Sequence, residues 1–143
     1  PRDTRYKWAY IFGAACPERG VTAALVMPHA DTEAMNAHLV EISRAVAKGA
    51  HAALVLDGAG WHAAKALEVP VNITLVLLAP YAPELNPIEN VWAYLRANRL
   101  AISVFETYQE IVTQCCDAWN FFANDIEAVK SITTREYAKT VKG

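Results

Sequence analysis

The sequence predicts a single α/β domain built around a mixed sheet with flanking helices, and three observations predict it. An aromatic segment near the start alternates with period two. Two short, continuous apolar runs, Ala52 to Leu56 and Ile73 to Leu78, have strand length. Between and after them, apolar residues recur at helical spacing.

In the first segment Tyr6, Trp8, Tyr10 and Phe12 fall on one face and Lys7, Ala9, Ile11 and Gly13 on the other, which reads as a strand. Pro17-Glu18-Arg19-Gly20 is turn chemistry, and Val21 to Met27 reads as a second strand. Residues 6–27 are therefore expected to form an antiparallel hairpin. Pro28 ends it, and Asp31 or Thr32 can cap a helix. Met35, Leu39, Ile42 and Val46 share one face of that helix, and Gly49 is the expected stop.

The runs AALVL and ITLVLL suit strands buried on both faces. Residues 61–68 between them are expected to be a short helix. A proline-rich loop, Ala79 to Pro87, leads into a helix from about Pro87 to Asn98. A second long helix is expected over roughly 105–122, its apolar face carrying Tyr108, Ile111, Val112, Cys115 and Trp119, with a last short helix from Asp125. Cys116, next to Cys115, is read with the same apolar stripe and the core.

Composition bounds the function. With 54% hydrophobic and 20% charged residues, the 143-residue chain can bury a core and is not a disordered segment. It carries no bilayer-length apolar run and no signal-peptide pattern, so a soluble, cytoplasmic protein is expected. Three cysteines without zinc spacing suit reduced thiols rather than a disulfide framework. A net charge of -2 argues mildly against a strong nucleic-acid-binding module standing alone.

Two segments carry chemistry: LVLDGAGWH at 54–62 and PELNPIENVW at 83–92. Asp57 follows a buried strand, where open α/β sheets place ligand sites. Glu89 falls in the first turn of a helix after the next strand, and thirty-one residues intervene. A helix, strand and loop of that length can return the chain to the same sheet end. Two carboxylates brought together there call for a cation, and hard oxygen ligands suit Mg²⁺ or Mn²⁺. Each residue also has a plainer role. Asp57 can cap the turn after its strand. With Asn86 as N-cap and Pro87 as the first helical residue, Glu89 completes a capping box, the better reading from spacing alone. Glu84 is a competing ligand in the same loop. His62 can serve structure, Asn90 can contact the site or stay solvated, and Trp61 and Trp92 suit packing. Arg96 and Arg99 can touch phosphate or line a solvated helix face.

LVLDGAGWH followed by APYAPELNPIENVWAYLR resembles the DDE transposases of the Tc/mariner superfamily, in particular their bacterial insertion-sequence branch. The hairpin YKWAYIFGAACPERG and the later CDAWN segment extend the resemblance over nearly the whole chain. It implies a ribonuclease-H-like (integrase-type) fold and a nuclease site with Asp57 and Glu89 as catalytic metal ligands. His62 and Asn90 would support them, and Arg96 and Arg99 would meet DNA. Two Mg²⁺ or Mn²⁺ ions about 3.5–4 Å apart would serve hydrolysis and strand transfer at transposon ends and target DNA. The protein would be nucleoid-associated when bound to DNA. The family's first catalytic Asp sits on a strand before the hairpin, and its helix-turn-helix region lies further upstream. Neither is matched here, and Asp3 stands in a polar lead-in, so residues 1–143 are expected to be an N-terminally incomplete catalytic domain. The absent strand would lie between the first hairpin strand and strand 52–56, leaving two edges that favour pairing with each other or with a second copy as a homodimer.

The alternative function is a non-catalytic transposase remnant acting as a protein- or DNA-interaction module. An unrelated hydrolase using Asp57 and His62 ranks lower, because no G-x-S-x-G nucleophile signature is present.

Overall fold

A computed structural model describes residues 9–56, 66–77, 87–98 and 107–133. Along them run β1 (Tyr10–Cys16), β2 (Val21–Met27), α1 (Thr32–Ala45), β3 (Ala52–Leu56), β4 (Ile73–Leu77), α2 (Ile88–Asn98), α3 (Tyr108–Ala123) and α4 (Ile126–Thr133).

The hairpin forms over Tyr10–Met27; Tyr6, Lys7 and Trp8 of the expected first strand lie outside the described residues, and Ala9 precedes the strand. β1 and β2 are antiparallel, from Tyr10 opposite Met27 to Cys16 opposite Val21. The turn closes through Gly20 N–H donating to the Cys16 carbonyl at 2.8 Å. Gly20 is required there: its φ is +69°, and a Cβ would stand 2.7 Å from Ile126 Cγ2. β3 and β4 are parallel, Ala52 opposite Ile73 and Leu56 opposite Leu77.

Among the described residues these pairs are two separate two-stranded sheets, not one continuous mixed sheet. No described strand pairs with the free edge of β1 or of β3. Direct closure of β1 on β3, one of the two expected outcomes, does not occur.

Helix α1 bridges the two sheets. Its buried stripe, Met35, Leu39 and Ile42, packs with Ile73 and against Phe12, Ala14 and Ala23 of the hairpin and Ala52, Leu54 and Leu75 of the second sheet. Asp31 is its N-cap, accepting from the Ala34 amide at 2.9 Å. The helix stops earlier than expected. Val46 leaves the helical region with ψ 135°, and Gly49, with φ +80°, serves the turn before β3 instead of terminating the helix. Polar clamps fix α1 to the β3–β4 side. Ser43 Oγ donates to Asn72 Oδ1 at 2.7 Å and Asn72 Nδ2 donates to the Ser43 carbonyl at 3.1 Å. Asn36 donates to the Ala66 carbonyl and accepts from the Glu68 amide.

The other face of the hairpin carries the larger core. Val91, Leu95, Ala118, Trp119, Phe122 and Val129 form a buried cluster joined by Ile11, Ala15 and Ala24. Its rings interlock, with Trp92 and Trp119 5.9 Å apart and Trp119 edge-on to Phe122 at 5.4 Å. Gly13 makes room for them: a Cβ there would meet Trp119 at 2.5 Å and Trp92 at 3.0 Å. Trp119 Nε1 donates to Thr22 Oγ1 at 3.4 Å, tying α3 to β2.

Three expectations change. β3 and β4 are not buried on both faces: α1 covers one, while Ala53, Thr74 and Val76 are exposed on the other. Leu67 and Glu68 are not helical, and residues 61–65 of that expected helix lie outside the described residues. Cys115 is buried but Cys116 is exposed, one helical step off the stripe. Among the described residues, no helix is long and apolar enough to cross a membrane.

Candidate metal centre

The parallel register organises the candidate site. Because Leu56 stands opposite Leu77, β3 and β4 end side by side at their C-terminal ends. Asp57 directly follows β3, and the proline-rich loop begins at Ala79, one residue beyond Leu78, which follows β4. Asp57, His62, Glu84 and Arg99 themselves lie outside the described residues. Convergence of Asp57 with Glu89 is therefore an expectation that the parallel ends support.

Glu89 occupies the first turn of α2 and is exposed, between half-buried Ile88 and Asn90. Helix α2 begins at Ile88, one residue later than expected, and Asn90 N–H donates to the Pro87 carbonyl at 3.0 Å. Asn86, the N-cap of the capping-box reading, lies outside the described residues. The Glu89 oxygens are hard donors open to solvent, a donor type that fits Mg²⁺ or Mn²⁺. Among the described residues, no group of three or more His, Cys, Asp or Glu side chains could hold a metal ion.

Asn90 does not stay solvated. Its Nδ2 donates to the Ile132 carbonyl at 3.1 Å, joining α2 to α4. Arg96 is exposed in the last turn of α2, open to phosphate or water alike. Trp92 packs against Trp119, as read from the sequence. Burial pushes the Cys115 thiol above its ordinary pKa, with Cys116 adding to the shift, which keeps it protonated and inert. Asp31 is exposed and caps α1, its Oδ1 accepting from the Ala34 amide.

Sequence reasoning missed two buried polar side chains among the described residues, Thr133, whose hydroxyl donates to the Val129 carbonyl, and His38. His38 lies on the buried face of α1, its ring 5.6 Å from that of Phe12. Burial lowers its pKa from 6.5 to about 4, against an upward pull from a hydrogen bond to the Gly13 backbone. Its Nδ1 is buried with no hydrogen-bond partner among the described residues. His38 stands one residue before Leu39 in the Met35–Leu39–Ile42 stripe, and that placement was the signal available.

Known proteins now give the comparison. The sequence model of the DDE superfamily endonucleases matches residues 1–112. The uncharacterized protein y4pE/y4sA of Sinorhizobium fredii is 55% identical over 131 residues, spanning 92% of this chain and 97% of that protein. No solved structure matches. The matched segment contains both acidic motifs, the hairpin, α1, both parallel strands and all of α2. The chain belongs to the DDE superfamily endonuclease family.

Proposed function

We propose that this chain acts in DNA cleavage and strand transfer during transposition, as part of a ribonuclease-H-like catalytic domain of the bacterial insertion-sequence branch of the Tc/mariner superfamily. The observation that carries the reading is the parallel β3–β4 pair inside the matched family segment. Asp57 follows β3 in the sequence and the loop leading to Glu89 follows β4, so parallel strands that end together support a meeting of the two at one sheet end. DDE superfamily members use divalent metals. In this reading Asp57 and Glu89 hold Mg²⁺ or Mn²⁺, with His62 beside them. Arg96, on the helix that carries Glu89, and Arg99, just after that helix in the sequence, meet the DNA backbone.

Bound ions would polarise the phosphodiester and offset charge on the attacking and leaving oxygens. The chain's own contribution is to hold two carboxylates at the end of a sheet and to orient DNA by guanidinium contacts. A net charge of -2 leaves little general attraction for phosphate, so DNA affinity rests on those local arginines. Among the described residues no strand pairs with the outer edge of β1 or of β3, and a homodimer is the form of pairing we propose for them.

The test is Mn²⁺ titration of residues 1–143 and of Asp57→Ala, followed by nicking of terminal-repeat DNA. Asp57→Ala is expected to weaken Mn²⁺ binding. Two motif carboxylates alone are expected to give no useful nicking rate. Equal Mn²⁺ affinity in both proteins would remove Asp57 from the site. Robust Asp57-dependent nicking would show that a further carboxylate of this chain completes it. Metal-independent folding together with no DNA interaction would favour the interaction-module reading.

A further inference from the structure

We infer that Asn90 is a positioning residue that fixes the Glu89 turn of α2 against the last turn of α4. The inference rests on the reading of Glu89 as a metal ligand. The first turn of α2 has a distinct inside and outside. Val91 is fully buried and Ile88 packs against the same core, whereas Glu89 is exposed. Asn90, between them, sends its Nδ2 to the Ile132 carbonyl at 3.1 Å, a link across 42 residues of sequence.

That carbonyl belongs to the last described turn of α4, so the Asn90 amide ties the first turn of α2 to the far end of the described chain. Around this bond Ile88, Val91 and Leu95 of α2 and Val129 and Ile132 of α4 belong to one core, with Ala118 and Phe122 of α3. Apolar packing holds α2 down but resists sliding and rotation weakly, because it has no direction. A side-chain hydrogen bond in the turn that carries Glu89 sets both register and rotation.

The partners in this arrangement lie beyond residue 112, where the family match ends. Ala118, Phe122, Val129 and Ile132 all fall in that later segment. The α3–α4 pair is thus a support for the candidate metal ligand, not an appendage to the matched domain.

The experiment uses the whole 143-residue chain. Mn²⁺ binding is read by electron paramagnetic resonance in wild type, Glu89→Ala, Asn90→Asp, Asn90→Ala and the control Asn98→Ala. Asn98 bonds only one turn back on α2, to the Tyr94 carbonyl. Amide hydrogen exchange is followed in the same proteins. Asn90→Ala removes the donor without adding charge and is expected to weaken Mn²⁺ binding about 10-fold, the usual scale for loss of a group supporting a metal ligand. Asn90→Asp keeps the shape but adds a carboxylate, so it is read by hydrogen exchange. Exchange should quicken in the first turn of α2 while α1 and the hairpin stay protected, and Asn98→Ala should change neither readout. If Glu89→Ala weakens binding and Asn90→Ala binds as wild type does, the positioning role is wrong and the metal reading stands. If Asn90→Asp quickens exchange throughout the chain, the bond is only structural and the inference fails. If Glu89→Ala leaves Mn²⁺ affinity unchanged, the metal reading falls and takes the inference with it.

Discussion

The two sheets of this molecule are stabilised in different ways. The β1–β2 hairpin is covered on both faces, by α1 on one and by α2, α3 and α4 on the other. Its helical side is an interlocked aromatic core with Phe122, Leu95, Val91 and Val129 fully buried. The β3–β4 pair has α1 on one face and an exposed opposite face, and it is joined to α1 by side-chain hydrogen bonds from Asn36, Ser43 and Asn72. Each half carries one of the candidate carboxylates, Glu89 on the aromatic side and Asp57 after β3. The hairpin is the element that contributes to both cores, and α1 joins it to the β3–β4 pair.

The largest effect is expected on the aromatic side. Phe122 is fully buried and touches Trp119 and Tyr94 by ring contacts. Phe122→Ala should cost about 3–5 kcal/mol, from lost transfer energy plus a cavity that interlocked rings cannot close. Urea unfolding measures it. A loss below about 1 kcal/mol would mean that this core collapses freely and is no firmer than the β3–β4 side.

A somewhat smaller effect concerns the helix between the halves. His38 has a folded-state pKa near 4, below its ordinary 6.5. As pH falls, the unfolded chain takes up the proton first, so stability is full above about 6.5 and declines between 6.5 and 4. The loss over that window approaches about 3 kcal/mol. His38→Leu should flatten this part of the profile without abolishing folding. A wild-type stability that is constant from pH 7 to 4.5 would mean that the imidazole is solvated or paired in the folded protein.

Much of this architecture was legible in the sequence because local patterns agreed with packing. The hairpin from Tyr10 to Met27, its turn and the strand AALVL follow from periodicity and turn chemistry, and of the two candidate caps, Asp31 and Thr32, the structure uses Asp31. The end of α1 was misread because Val46 continues the apolar spacing and Gly49 is a plausible stop. Spacing alone does not reveal that the backbone leaves the helix three residues before the glycine. Full burial of β3 and β4 was misread because an apolar run states what a strand tolerates, not what covers it. Thr74 and Val76 show the uncovered face. In the site, Glu89 at a helix start was readable from Pro87 and the following stripe. The destination of the Asn90 amide was not, because Ile132 is 42 residues away and any backbone carbonyl reads alike in sequence.

The smallest expected effect tests the polar side of the comparison. Asn72 accepts from Ser43 Oγ and donates to the Ser43 carbonyl, a paired contact between the end of α1 and the start of β4. The Ser43 carbonyl is near the helix end, and the contact is only partly buried, so water can replace part of what is lost. Each bond should contribute about 1 kcal/mol, and Asn72→Ala should cost about 1–2 kcal/mol. Ser43→Ala removes the hydroxyl bond but keeps the backbone one, and should cost less. The double variant should cost less than the two singles added together, since both remove the same hydroxyl contact. Hydrogen exchange locates the damage: amides of β3 and β4 should open before those of β1 and β2, whose packing does not involve Asn72. Strict additivity in the double variant, or faster exchange in the hairpin than in β3–β4, would show that α1 is held to the second sheet by its apolar face alone. The polar clamp would then be incidental, and the contrast between the two halves would reduce to how much apolar surface each one covers.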